Sequence, residues 1–514
     1  MTVKINVLVS WLCHITMMVI GFFLMPYILH TIGEESYGTW VFLNAIAGYS
    51  GLLYLGFGET IARYVSKHHA SEEWDELNKV VSGICAAYCG SGLIAVLAAI
   101  ILALIVPWIG NWEGATLLEV QGVLLVLGIN AAVSIIGSTN GGVLYGIQRF
   151  DIEKAILIVG LLVKLVLTVF CLTNRYSLIT LALIFATHTF LEQLLFYVFA
   201  HRLVPTLRIS WRLVKWSAIK DSYGFAMFSS MGLVAAKLIY DTDYIVIGLS
   251  LGHVAVVPYA IGSRLSEMIR RPIIQVGDVF LPRASQLHTQ SSHDILRSLS
   301  ARGMGVAFLL SAGLFIGGSY FGQLLIRLWM GPDYPESHLI FLILIGSQIV
   351  AAPIGIMHMV LVGTGDVRVP SFIRLSQAVM NFCLSLILVR FFGIIGVAVG
   401  TLVPILIMDL GVLLPYGLRR LDMSLGQLLK SGIAPHCVPL IILWGYSHGV
   451  SLLSPPETWL VFFMVTICGG ALLLSSAGAI WYLNERRGTS KTIANDPVPS
   501  VESEMTPCGT TQAP

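Results

Sequence analysis

Charge is scarce in this chain. Of 514 residues, only 11% are Asp, Glu, Lys or Arg, against 56% hydrophobic. A soluble domain carries about a quarter charged residues, so the shortage excludes a soluble enzyme with one membrane anchor. The net charge of +2 gives no basic footprint for a nucleic acid. There is no G-x-x-x-x-G-K-[ST], which excludes a P-loop ATPase, and no H-E-x-x-H. The glycines of GFGE (56–59) and GTGD (363–366) lack the strand and third glycine of a dinucleotide motif. Eight cysteines are present, and seven lie in apolar runs where a thiol behaves as a small hydrophobe. Cys85 and Cys89 are one helical turn apart but have no further metal ligands nearby. No metal and no cofactor are expected. No loop is long enough to fold as a catalytic domain.

Long apolar runs are what the sequence does have. A hydrocarbon core about 30 Å thick takes about 20 residues of helix. Fourteen runs meet that length: 5–30, 38–58, 80–108, 116–146, 155–173, 177–200, 223–250, 254–280, 303–328, 337–362, 370–391, 394–416, 431–452 and 457–483. Turn-forming separators such as NWEG (111–114) and SPPE (454–457) divide them. The first run is too long for a signal-peptide core, and no A-x-A site follows it. The expected fold is an all-α, polytopic membrane protein of about fourteen helices. Residues 484–514 are polar and proline-dotted and are expected to form a disordered cytoplasmic tail.

Placing the N-terminus in the cytoplasm puts 24 of the 30 Lys and Arg residues in cytoplasmic loops or helix ends. Only Arg175, Arg327 and Arg390 fall outside, as the positive-inside rule requires. Short motifs recur at a near-constant offset. VLYG (143–146) and VLVG (360–363) close the fourth and tenth helices, the turns at Gly33 and Gly252 close the first and seventh, and Glu192 falls on Asp409. A shared offset predicts two pseudo-symmetric six-helix halves, 1–200 and 223–416. A basic linker at 201–222 joins them, and helices 13 and 14 follow at 431–483. The five cations of 202–221, with Trp211 and Trp216, fit an anionic leaflet surface. RYVSKHHASEEWDELNKV (63–80) predicts a cytoplasmic surface helix.

Each charge at a helix centre costs about 2.5–3.5 kcal/mol on the insertion scale, so these residues carry the functional information. Arg264, Glu267, Arg271, Gln275 and Asp278 fall on one stripe of helix 8. They either line a wet cavity or neutralise one another along the helix. Lys237 and Asp241 share a face of helix 7 near mid-depth, whereas Asp243 lies about 160° away. Lys164 and Glu192 are expected to pair structurally in the first half, with Asn381 and Asp409 in their places in the second. His14 and Asn6 share a stripe on helix 1 that faces either a cavity or packed neighbours.

Several stretches together resemble a known family. They are ILHTIGEESYGTWVFL after helix 1, LGFGETIARYVS closing helix 2 and DYIVIGLSLGHVAVVPYAIGSRL across helices 7 and 8, with VFLPRASQL and VLVGTGDVRVP further on. Over about residues 1–420 the chain resembles polysaccharide-biosynthesis, O-antigen-type flippases of the multidrug/oligosaccharidyl-lipid/polysaccharide exporter superfamily. Fourteen helices are similar to that branch; the multidrug branch usually has twelve. The resemblance implies a non-enzymatic flippase in the bacterial inner membrane, with both termini cytoplasmic. It would move an undecaprenyl-pyrophosphate-linked oligosaccharide outward by alternating access, with other polysaccharide-assembly membrane proteins as expected partners. By position, Lys237 and Arg264 are similar to the cations of the family's central cavity, while Gln275, His14 and Asn6 would offer hydrogen bonds. Helices 1 and 2 carry no membrane-embedded cation, unlike some relatives. Three other functions stay open. A proton- or Na⁺-coupled multidrug exporter would use Asp241, Asp243 and Glu267, a membrane glycosyltransferase or polymerase needs an outer catalytic loop, and a scaffold would only pair its charges.

Overall fold

The computed structural model describes residues 3–54, 57–109, 112, 116–174, 177–214, 232, 234–278, 280–290, 293–332, 334–453 and 458–495. For 3–8, 57–59, 174, 276, 278, 282 and 484–495 the description stops at the backbone. The described residues form helices and no strand. In order these are α1 (Val3–Ile32), α2 (Glu34–Gly48), a 3₁₀ segment (Tyr49–Tyr54), α3 (Phe57–Ala70), α4 (Trp74–Ile105), α5 (Leu117–Gly146), α6 (Phe150–Asn174) and α7 (Leu178–Leu203). After α8 (234–240) come α9 (Thr242–Leu251), α10 (Val256–Asp278), α11 (Phe280–Thr289), α12 (His293–Met330), α13 (Pro335–Gly363) and α14 (Arg368–Ile405). A π-helical stretch, Leu406–Leu413, leads into α15 (Leu414–Arg420). The chain closes with α16 (Leu425–Gln427), a second π stretch (Leu428–Ile433), α17 (Ala434–Leu453) and α18 (Trp459–Asn495).

The surface is inverted relative to a soluble protein. Leu93, Leu97, Ile101 and Leu104 on α4, and Leu162, Val166 and Phe170 on α6, are exposed at helical spacing, while Thr139, Ser311 and Ser385 are buried. Lipid accepts such a belt, and helices satisfy every backbone group without water. Among the described residues, ten helices are long and apolar enough to cross a membrane. One of them, Arg368–Arg420, has 53 residues. At 1.5 Å per residue it would reach about 80 Å if straight, well over the hydrocarbon thickness. It folds back at Gly393, whose φ of 58° and ψ of −141° are non-helical. Asn381 then donates to Thr401 Oγ1 at 2.9 Å across the hairpin. The expected spans 370–391 and 394–416 therefore meet at one glycine with no loop.

Three expected spans lie outside the ten: 38–58, 223–250 and 254–280. α2 has only 15 residues before it tightens into the 3₁₀ segment. The 223–250 span breaks at Asp241, and 223–231 and 233 lie outside the described residues. α10 holds Arg264, Glu267, Arg270, Arg271 and Pro272. Charges and breaks lower the hydropathy of these three segments, all of which contribute to the lining of the main cavity.

Backbone geometry recurs at the expected offsets. Gly33 (φ 82°, ψ 165°) follows α1, and Gly252 (φ 89°, ψ 166°) follows α9. This region is open to glycine and strained for other residues. Gln148 and Gly365 both have positive φ, 60° and 89°. The amides of Gln148 and Arg149 return to the carbonyls of Tyr145 and Leu144, and those of Gly365 and Asp366 to Val362 and Leu361. Both helices thus end in a left-handed C-terminal cap.

α1 to α7 pack chiefly among themselves, as do α10 to α15 around α13, and α17 and α18 pack on α12. α2 bridges the two groups through α9 and α10. The linker folds back on α4. Asn78 donates to Thr206 O at 2.9 Å and accepts from Arg208 N at 2.8 Å. Trp211 is left 72% exposed, and Lys215, Trp216 and Lys220 lie outside the described residues. The 63–80 segment is the end of α3 and the start of α4, turned at Glu72 (φ 59°). There His68 Nδ1 lies 2.7 Å from Glu73, and this hydrogen bond holds the Glu73 carboxyl below its usual range. α18 runs to Asn495, past the expected end of the last span at 483.

Candidate functional site

A cavity of about 330 Å³ lies between α1, α2, α6, α7 and the α8–α10 segment. α1 contributes Gly21, Leu24, Met25 and Ile28; α2 contributes Tyr37, Trp40, Val41, Asn44, Ala45 and Gly48. Both sets step by 3 or 4 residues at most, so each helix presents one face. Opposite stand Lys237, Asp241, Tyr244, Ala260 and Arg264, with Lys164 and Phe185 completing the wall. Three cations and one carboxylate converge on it.

The cations are held differently. Lys237 makes an ion pair with Asp241 one turn along. Arg264 Nη1 donates to Glu267 at 3.2 Å, and Glu267 also accepts from Arg271 Nη2 at 2.6 Å. Lys164 Nζ sits 3.5 Å from the centroid of the Phe185 ring. Among the described residues, no carboxylate comes within ion-pair distance of it. A cation–π contact offsets about 0.5–2 kcal/mol, less than the roughly 2.5–3.5 kcal/mol cost of a lysine at a helix centre. Two glycines make room for the others. A Cβ on Gly21 would press on Arg264 Nη2, and one on Gly48 would touch Lys237 Nζ.

Asp243 faces away from the cavity, as its position on the helix predicts. It is buried in a smaller polar cleft of about 80 Å³ between α9, α10, α13 and α14. It accepts hydrogen bonds from Tyr259, from Thr401 at 3.0 Å and from Ser385 at 3.4 Å. Asp241, Tyr244 and Glu267 border this cleft too. The α8–α9 break at Asp241 thus separates two polar compartments, and Tyr49 bonds to Thr242 just beyond it.

Lys237, Asp241 and Arg264 come together in the main cavity. Glu267 and Arg271 continue the stripe as a ladder on α10, so mutual neutralisation along the helix is realised there. Gln275 Nε2 lies 3.3 Å from His14 Nδ1, joining α10 to α1 below the cavity. The side chains of Asn6 and Asp278 lie outside the described residues. The expected Lys164–Glu192 pair is absent: Glu192 stands 3.0 Å from His188 instead. The positions of the second half differ as well. Asn381 bonds to Thr401, and Asp409, fully buried in the π stretch, lies 3.1 Å from Arg374. Lys164 is thus a cavity residue that its sequence pattern did not reveal. Its helix shows no polar stripe, and its rotation against α7 decides where the side chain points.

Further contacts tie α1 and α2 to the end of α12 and the residue before α13. Trp329 Nε1 donates to Phe22 O at 2.7 Å and its ring stacks on Phe22 at 4.8 Å. Tyr334 donates to Glu34 at 2.6 Å. His253 stacks on Trp112 at 4.6 Å and adjoins Phe42.

The fold and the site define a many-helix membrane protein with a charged cavity between its helices. The family model for polysaccharide biosynthesis proteins matches residues 3–288, more than half of the chain, and the chain belongs to that family. Among solved structures it is similar to the lipid II flippase MurJ in an inward closed conformation, with a TM-score of 0.70 and 14% identity over 93% of this chain and 99% of that one. It is also similar to an inward-facing multidrug resistance MATE transporter of the MOP superfamily (0.68, 13%, 82% and 98%). A MOP superfamily transporter from Pyrococcus furiosus aligns less closely (0.55, 15%, 82% and 96%). At these identities the likeness is one of fold. No curated protein matches the sequence.

Proposed function

We propose that the chain flips a lipid-linked oligosaccharide, carried on undecaprenyl pyrophosphate, from the inner to the outer leaflet of the bacterial inner membrane. The observation that carries this is the cavity in which Lys164, Lys237 and Arg264 outnumber the single carboxylate Asp241. A pyrophosphate needs cations at mid-depth, the saccharide needs a polar chamber, and the lipid chain stays in the bilayer. Family membership supports a polysaccharide precursor as cargo. Transport follows from rocking of the halves 1–200 and 223–416 about the cavity, with both termini in the cytoplasm. The contacts of Trp329 on Phe22 and Tyr334 on Glu34 open as the basic side closes. Outward movement of negative charge gains about 2.3 kcal/mol per charge per 100 mV of inside-negative potential. Deletion of the gene is expected to trap lipid-linked glycan on the inner leaflet. Normal surface glycan in the deletion strain, with no trapped precursor, overturns the reading.

Asp243 favours a second reading, a proton- or Na⁺-coupled multidrug exporter. It is a buried carboxylate ringed by hydroxyl groups with no cation within ion-pair distance among the described residues. Efflux of a cationic dye that collapses with the ion gradient, in cells whose lipid-linked glycan is normal, selects this reading over the first.

A further inference from the structure

Three cations face one cavity, yet they are not equally available to a ligand. Lys237 is occupied by Asp241, and Arg264 by Glu267. Lys164 is held by an aromatic wall instead. Its ammonium lies over Phe185, and Phe185 is fixed edge-on by Trp40 at 5.0 Å. Glu192, the acid on the neighbouring helix, does not reach it. That carboxylate lies over Gly160, one turn from Lys164 along α6, and His188 stands beside it.

We propose that Lys164 is the fixed anion contact of this cavity, and that Lys237 and Arg264 join only when the anion displaces Asp241 and Glu267. The inference rests on the lipid-pyrophosphate reading above and assigns the order of contacts within it. The first phosphate meets Lys164, the one cavity cation whose engagement breaks no ion pair. The second then exchanges for a carboxylate on the opposite wall. Glu267 tolerates the exchange, because Arg271 still holds it at 2.6 Å when Arg264 turns to the ligand. Among the described residues Asp241 has no such second cation, and it is the competitor that limits affinity. Lys164 is therefore the first contact for the headgroup, and the Lys237–Asp241 pair acts as a releasable latch that lowers the positive charge of the empty cavity.

The test is titration of the purified full chain in lipid nanodiscs with geranylgeranyl pyrophosphate, using geranylgeraniol as the uncharged control. Lys164→Met is expected to weaken pyrophosphate binding about tenfold, the loss of one charge-assisted contact. Lys164→Arg, which keeps the charge and stacks on Phe185, is expected to restore most of it. Lys237→Met is expected to weaken binding less than Lys164→Met, and Asp241→Asn to tighten it severalfold. Alcohol binding stays constant throughout. Equal weakening by Lys164→Met and Lys237→Met, or no tightening in Asp241→Asn, overturns the order of contacts and leaves the lipid-pyrophosphate reading standing. Wild-type protein that binds pyrophosphate no better than the alcohol overturns that reading itself. Should Lys164→Met fail to fold, Lys164→Arg and Asp241→Asn decide the matter, since neither adds an apolar group.

Discussion

The two walls of the cavity use different chemistry. On the α1–α7 side the wall is glycine, aliphatic and aromatic side chains, Asn44 and one lysine that has no counter-ion among the described residues. On the α8–α10 side it is a row of charges already paired with one another. The same contrast recurs at the buried acids separated by the offset of 217. Among the described residues Glu192 has only a histidine within ion-pair reach, while Asp409 has an arginine. One side offers charge ready for use, and the other stores charge in pairs that must open. A chamber built this way holds two of its cations in ion pairs when empty and presents all three when filled.

The largest expected effect tests the buried acids. Arg374→Leu strands the fully buried Asp409 and is expected to cost about 3–5 kcal/mol, read as a large fall in thermal unfolding temperature in detergent. His188→Leu in the other half should cost clearly less, and equal losses would erase the contrast. Next, Thr401→Val removes one of the hydroxyls donating to Asp243. A cost of about 1–3 kcal/mol is expected, measured the same way, and a neutral result would mean that Asp243 does not depend on its ring of donors. Gly21→Ala places a methyl group against Arg264 Nη2. It is expected to weaken binding of geranylgeranyl pyrophosphate about threefold while leaving unfolding nearly unchanged, in keeping with a small overpacking effect. Smallest is the effect at the exposed Glu73. Its carboxyl is held low when folded, so its contribution is present above the unfolded carboxylate range and is lost as pH falls through the folded value. Glu73→Gln should flatten that acid-side loss slightly and leave neutral-pH stability almost untouched.

Much of this was legible from residue spacing. Lys237 and Asp241 stand four apart and share a face; Asp243 stands two further on and does not. The α10 stripe followed from the same geometry, as did its alternative, a self-neutralising ladder. Lys164 was not legible. One charge within the apolar stretch of α6 carries no periodic signal, and pairing it with Glu192 by proximity ignored how α6 is rotated against α7. The hairpin at Gly393 was legible as two spans but not as a loopless turn, because the reversal depends on one backbone conformation. The stripe Trp40, Asn44 and Gly48, at four-residue spacing, was a usable sign that α2 faces the chamber.

Gly21 and Gly48 matter for how such a chamber is to be mapped. Scanning mutagenesis infers importance from what a truncation removes, and these positions have nothing to remove. Their contribution is empty volume, the room in which the guanidinium of Arg264 and the ammonium of Lys237 can turn. A scan that only shortens side chains would report Gly21 and Gly48 as silent, and only substitutions that add bulk would reveal their part in the cavity.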